Sequence, residues 1–140
     1  MINEARNLTM MTDFYQLTMM YGYFKKGIAK NEGIFDVFFR PRKSSGYAVM
    51  AGLESVISYV QNLHFTDEDV GYLRSLNMFD EPFLAYLRGF NFTGEIYAMP
   101  EGTIVFPYEP LLRVKAHIME AQLVETALLT LINHQTLIAT

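Results

Sequence analysis

Arg40 is the residue whose type and position best suit binding chemistry. It follows an apolar, strand-like run at residues 34–39 and precedes a proline, so its backbone is stiff. A planar guanidinium presented from the end of a strand suits a phosphate or a carboxylate. Arg42, Lys43 and the backbone amides of residues 44–46 would extend such an anion site. The alternative is a solvated hairpin loop, which composition alone slightly favours.

Tyr15 is the second candidate, and it lies near the start of a predicted helix. This helix has two apolar stripes: Phe14, Leu17, Tyr21 and Phe24 form the first, and Tyr15, Met19 and Tyr23 form the second. Asp13 is the predicted N-cap, paired with Gln16 as in a capping box. We assign the first stripe to the domain's own core and Met19 and Tyr23 to an interface. From residue types alone, Tyr15 belongs either to the core or to a contact with a ligand or partner subunit.

Other patterns predict no chemistry in this chain. It has no cysteine, nucleophile elbow, P-loop, dinucleotide fingerprint or metal-ligand spacing. The histidines, His64, His117 and His134, are scattered, and we interpret each as a surface or structural residue. The acidic residues after Thr66 and around Asp80 are explained by the chemistry of helix starts. We therefore expect neither a metal site nor a catalytic residue here.

Composition limits the class of protein. The 140 residues correspond to about one domain, and 51% of them are hydrophobic. The charged fraction of 19% is low, which indicates surface that is buried against another domain or subunit. A net charge of −4 argues against nucleic acid or an anionic membrane as the main partner. The N-terminus lacks a signal-peptide layout and the longest apolar stretch is interrupted by polar residues, so we expect a cytoplasmic protein without a membrane span.

The predicted elements mix helices and strands without strict alternation. Strands are expected at residues 34–39, 47–51, 94–99, 103–106 and 111–116, and helices after Asp13, Gly52, Thr66, Asp80 and His117. The first two strands are expected to form a hairpin, and the last three an antiparallel meander. This pattern predicts an α+β fold in which an antiparallel sheet carries helices. The chain stops inside a helical pattern at Thr140, without a stop signal, so we expect a piece of a longer protein.

Several blocks, in the same order, resemble the opening of nicotinate phosphoribosyltransferases. The blocks are residues 13–19 (DFYQLTM), 37–40 (VFFR), 48–54 (AVMAGLE), 100–102 (PEG), 109–112 (EPLL) and 120–129 (EAQLVETALL), the last running on to Asn133. They are spread over essentially the whole chain, and the ordered set is far more specific than any one block. Because members of this family are much longer, the chain resembles only their N-terminal part.

The resemblance implies a type II phosphoribosyltransferase. The family condenses nicotinate with phosphoribosyl pyrophosphate to give nicotinate mononucleotide and pyrophosphate in NAD salvage. ATP hydrolysis is coupled through a phosphorylated histidine, and Mg²⁺ accompanies the pyrophosphate. The implied enzyme is a homodimer with a shared active site at the mouth of an α/β barrel. Residues 1–117 would form its N-terminal domain, and residues 118–140 would begin the helix that leads into a barrel absent from this chain.

The resemblance also implies roles for three residues. Tyr15 matches a tyrosine that stacks on the pyridine ring across the dimer interface. Asp13 matches an aspartate lining the same site, and Arg40 matches an arginine that helps to hold phosphate groups. The phosphorylated histidine is expected beyond Thr140, so His134 is not that residue, and the piece alone is expected to be inactive. The alternatives are a nicotinamide-preferring relative, or a truncated, non-catalytic module for dimerisation or interaction.

Overall fold

The computed structural model describes residues 7–41 and 46–140, and this part contains five helices and five strands. In chain order they are α1 (Phe14–Lys25), β1 (Glu32–Val37), β2 (Ala48–Val49), α2 (Leu53–Gln61), α3 (Asp67–Ser75), α4 (Glu81–Arg88), β3 (Glu95–Ala98), β4 (Ile104–Val105), β5 (Leu112–His117) and α5 (Ile118–Ala139). Small antiparallel sheets with helices confirm the predicted α+β class. Within residues 7–41 and 46–140, no helix combines the length and apolar character needed to cross a membrane.

The main sheet is antiparallel, with β5 between β1 and β3. The alternation predicted for β5 is confirmed, since Leu112, Val114 and Ala116 are buried while Arg113 is exposed. A strand with one fully apolar face gains most from the central position, where both neighbours help to cover it. The main sheet is therefore organised around β5.

Two predicted strand pairings are wrong. β1 does not form a hairpin with β2, because it pairs with β5, and Asp36 lies opposite Arg113. The predicted meander is also broken, because β4 leaves the main sheet and pairs with β2 in a separate two-stranded ladder. β2 and β4 have two residues each, so their partners are set by packing against the rest of the domain rather than by the length of the intervening loops.

The long helix α5 lies at the centre of the domain. It packs against α1, α2, β1, β2 and β5. Its fully or nearly buried apolar residues are Met119, Ala121, Leu123, Val124, Ala127, Leu128 and Ile132. Contact on several sides explains why its apolar residues spread round most of its circumference. The division of the chain between residues 117 and 118 stays a prediction, and α5 begins at Ile118 directly after β5.

The first stripe of α1 packs on an aromatic cluster beside α4. Tyr21 lies 5.1 Å from Phe83 and 5.4 Å from Phe79, measured between ring centroids, and Phe24 also contacts Phe83. Leu17 is buried as predicted, whereas Phe14 remains 45% exposed. The predicted core stripe is therefore right for most of its length and wrong at its first residue, which lies at the open start of the helix.

Candidate functional site

The start of α1 is tied to α5 through Asp13. Asp13 occupies the N-cap position with extended backbone angles, but its side chain makes no capping hydrogen bond. Instead its Oδ2 accepts a hydrogen bond from the hydroxyl of Thr126 at 3.3 Å, and its backbone N–H donates to the same hydroxyl oxygen at 3.4 Å. The capping-box-like pair with Gln16 is therefore not formed. The carboxylate of Asp13 is exposed beside α5.

Tyr15 presents its ring to solvent while its hydroxyl points towards α5. The side chain is 48% exposed. The hydroxyl accepts a hydrogen bond from the side-chain amide of Gln16 at 2.9 Å and lies 3.5 Å from Oε1 of Glu125, to which it donates. Partial desolvation raises the pKa of the Tyr15 phenol above its usual value, and the carboxylates of Glu125 and Asp13 add to the effect. The phenol thus stays protonated and acts as a donor at neutral pH.

Two buried glutamines connect this tyrosine to the interior. Gln16 is completely buried and Gln122 nearly so. The amide of Gln122 donates to the side-chain oxygen of Gln16, and it also reaches Oε2 of Glu125 at 3.4 Å. The amide of Gln16 in turn lies within hydrogen-bond distance of the Tyr15 hydroxyl, of Glu125 and of Thr126. Buried amides require such partners, because an unpaired one is costly.

The second apolar stripe of α1 is only partly an exposed surface. Met19 is 41% exposed, as expected of an interface residue. Tyr23, which was also predicted to be exposed, is half-buried, and its hydroxyl donates to the side-chain oxygen of Gln122 at 3.3 Å. The two tyrosines of the stripe therefore anchor their hydroxyls on α5, and Met19 lies between them on the outside.

Arg40 lies at the rim of an open pocket beside α5. It is exposed and follows the end of β1 by three residues. The pocket has a volume of about 720 Å³, within the range of small-molecule sites. Its walls come from two parts of the chain: Asp36, Phe38, Phe39, Arg40, Pro41, Tyr47 and Ala48, and from α5 Glu125, Leu129, Asn133, Thr136, Leu137 and Thr140. Arg42, Lys43 and residues 44–45, which were expected to extend an anion site, lie outside the described residues.

Glu125 links the two candidate regions. One carboxylate oxygen contacts the hydroxyl of Tyr15, and the same side chain lines the pocket that contains Arg40. Asp13 and Tyr15 thus both form hydrogen bonds to α5. Arg40 is related to them only through Glu125, which lines the same pocket. Glu125 and Asp36 thus add two carboxylates to the lining of the pocket that contains the cationic Arg40.

Two arginines near the end of β1 have different environments, and only Arg40 lines the pocket. Arg113 binds Asp36 through two short hydrogen bonds of 2.6 and 2.8 Å, and these lower the pKa of the Asp36 carboxyl. Arg40, in contrast, forms no ion pair with any of the residues in 7–41 and 46–140. Its charge is therefore available to an anion, whereas that of Arg113 is already compensated within the sheet.

The three histidines lie apart from one another and form no cluster with acidic residues in the part of the chain that the structure describes. The ring of His64 bonds the backbone oxygen of Asn62, His117 lies 3.6 Å from the buried Glu120, and His134 is exposed on α5. Among the described residues, no three His, Cys, Asp or Glu side chains come together in a way that would hold a metal ion.

Glu125, Gln122 and Thr126 were missed as parts of the site. A signal was present, because Gln122 and Thr126 belong to a polar stripe on the otherwise apolar helix α5, and Gln16 is a polar residue in the apolar helix α1. What the sequence lacked was the pairing of the two helices, which alone shows that these polar residues face one another. The hydrogen bond between the buried Gln16 and Gln122 thus identifies the contact between α1 and α5, which neither residue indicates separately.

The fold matches that of the phosphoribosyltransferase class. The structure is similar to the solved human nicotinic acid phosphoribosyltransferase, with a TM-score of 0.85 and 35% sequence identity over 92% of this chain and 26% of that one. A second solved structure, nicotinate-nucleotide pyrophosphorylase from Pyrococcus furiosus, matches with a TM-score of 0.60 and 25% identity over 94% of this chain and 27% of that one.

Residues 10–133 match the model of the nicotinate phosphoribosyltransferase (NAPRTase) N-terminal domain, and the chain belongs to that family. It is 50% identical to nicotinate phosphoribosyltransferase of Bacillus subtilis over 135 residues, which cover 96% of this chain and 28% of that protein. It is 42% identical to nicotinate phosphoribosyltransferase 1 of Arabidopsis thaliana, over 94% of this chain and 24% of that protein. The chain thus spans about a quarter of the length of these relatives.

Proposed function

We propose that this chain is the N-terminal part of a nicotinate phosphoribosyltransferase that acts in NAD salvage. The observation that carries the proposal is the family match over residues 10–133. In the proposed reaction the pyridine nitrogen of nicotinate forms a bond to the anomeric carbon of phosphoribosyl pyrophosphate. The bond from that carbon to the pyrophosphate oxygen breaks, and pyrophosphate leaves. ATP hydrolysis is coupled to this reaction in the whole enzyme.

Tyr15 is proposed to stack on the pyridine ring. Its ring is 48% exposed although its hydroxyl is hydrogen-bonded, so an aromatic face is free for a flat ligand. An offset aromatic stack contributes about 0.5–1.5 kcal/mol beyond the burial of area. Asp13, two residues earlier and exposed at the same helix end, would line the same site.

Arg40 is proposed to hold a phosphate group of the substrate. Its guanidinium is uncompensated among the described residues and lies at the rim of the pocket beside α5. As positive charge develops on the ribose and negative charge on the departing pyrophosphate, a fixed cation stabilises the leaving group. Mg²⁺ is proposed to accompany the pyrophosphate in the whole enzyme, where phosphate oxygens of the substrate supply part of its ligands.

The active form is proposed to be a homodimer in which Tyr15 reaches the active site of the partner subunit. The exposed side chains of Tyr15 and Met19 on one side of α1 support this assignment, because apolar groups on a helix face require a cover. The chain alone is proposed to be inactive, since it spans about a quarter of the length of its relatives and, as far as residues 7–41 and 46–140 show, supplies only part of the site.

The direct test is an assay of the full-length protein with nicotinate, phosphoribosyl pyrophosphate and ATP, in which nicotinate mononucleotide is measured by chromatography. We expect product with nicotinate and little with nicotinamide, and none from the 140-residue chain alone. Absence of product from the full-length protein would exclude the proposed activity. Preference for nicotinamide would instead make it a relative with a different substrate.

A further inference from the structure

The hydrogen bonds between α1 and α5 converge on one exposed side chain. Tyr15 is nearly half exposed, whereas Gln16 is fully buried, and the amide of Gln16 donates to the Tyr15 hydroxyl at 2.9 Å. Gln16 is itself oriented, because its side-chain oxygen accepts from Gln122 and its amide reaches Oε2 of Glu125 at 3.2 Å. Tyr23 closes the far end by donating to Gln122.

Glu125 occupies a position that no neutral side chain can fill equally well. Its two oxygens receive three donors: the hydroxyl of Tyr15 on Oε1, and the amides of Gln16 and Gln122 on Oε2. A carboxylate provides two acceptor oxygens, whereas a glutamine in its place has one acceptor and adds two donors. Replacement by glutamine therefore leaves at least one of the three groups without its partner.

We infer that Gln16, Gln122 and Glu125 are positioning residues, which fix the hydroxyl of Tyr15 on α5 and so hold its ring face ready for a planar ligand. This inference rests on the proposed stacking role of Tyr15. A tyrosine held by its hydroxyl loses little rotamer freedom when a ligand stacks on it, so the network strengthens binding without touching the ligand. Glu125 acts through Tyr15, and the same side chain lines the pocket that contains Arg40.

The test is a double-mutant cycle in the full-length enzyme with Tyr15→Phe, Glu125→Gln and the double variant. If Glu125 acts through the hydroxyl, each single change raises the KM for nicotinate by about two- to threefold, as expected for one long hydrogen bond at 3.5 Å, with kcat little changed. The double variant then resembles either single variant, because the second change removes nothing further.

Glu68→Gln is the matched control, since it makes the same change of charge at an exposed position of α3. Additive effects of Tyr15→Phe and Glu125→Gln on KM, or a Glu125→Gln variant that only lowers the melting temperature, would overturn the positioning role. Tyr15→Ala separates the two proposals. If it raises KM while the cycle shows no coupling, the stacking role stands and the positioning network fails; if it leaves KM unchanged, both fail.

Discussion

The side-chain amide of Gln16 donates to the phenol oxygen of Tyr15 at 2.9 Å from the next position along α1. Gln16 is fully buried, whereas nearly half of Tyr15 is exposed, so this hydrogen bond joins the interior of the domain to its surface. In the second stripe of α1, the hydroxyls of Tyr15 and Tyr23 form hydrogen bonds to α5, whereas Met19 is exposed on the outer side. The start of α1 is thus held to α5 by hydrogen bonds while part of Tyr15 stays exposed.

Gly52 at the start of α2 is expected to tolerate no side chain. Its φ is +105°, and a Cβ there would lie 3.0 Å from the backbone oxygen of Leu131. Gly52→Ala should therefore lower the free energy of unfolding by about 1–3 kcal/mol, the usual cost of a strained backbone residue. Gly71→Ala is the control, because Gly71 lies in α3 with open space around it, and it should raise stability by about 0.5–1 kcal/mol. The free energies of unfolding are measured by urea denaturation. If Gly52→Ala and Gly71→Ala change this free energy equally, the backbone at Gly52 is not strained as described.

The ion pair between Asp36 and Arg113 predicts a pH dependence of stability. The hydrogen bonds from Arg113 lower the pKa of Asp36 in the folded state. Its contribution is therefore complete above the unfolded value of about 3.9 and is lost as the pH falls through the lower folded pKa. The effect is small because both side chains are well exposed.

Asp36→Asn removes this contribution, so its melting temperature should lie below that of the wild type at neutral pH. The difference between the two proteins should shrink as the pH falls below about 4, towards the folded pKa. A difference that stays constant from neutral pH to acid would show that the ion pair does not titrate as described.

Met19 is expected to drive association of the isolated chain. It is 41% exposed on the outer side of α1, where the proposed partner subunit would cover it. We expect the chain to form dimers or aggregates in analytical ultracentrifugation, and Met19→Glu to shift it towards monomer. Met78→Glu is the matched control, since Met78 is 52% exposed elsewhere and should change nothing. A wild-type chain that sediments as a clean monomer contradicts the prediction.

Local elements were predictable, but their partners were not. The alternation of Leu112, Val114 and Ala116 predicted a half-buried strand, and Thr66 with Asp69 forms the helix cap that the sequence indicated. The hairpin across the loop at residues 40–46 was wrong because β1 finds its partner 77 positions away, at Arg113. Strand pairing over that distance is decided by the packing of the whole core, and the periodicity of residues along the chain carries no information about it.

The candidate site was predictable only in part for the same reason. Tyr15 was singled out because blocks across the whole chain resemble one family, whereas its residue type alone favoured the core over a contact. Gln16 was assigned to a helix cap, since its spacing from Asp13 fits one, but the structure turns its amide towards α5. Interhelical networks of this kind become visible only when both helices are in place.

The stacking role of Tyr15 is the central claim, and the KM for nicotinate of the full-length Tyr15→Ala enzyme tests it most directly. Loss of an aromatic stack and of its buried area should raise KM by about tenfold or more, with little change in melting temperature because the ring is half exposed. A KM equal to that of the wild type would contradict the account.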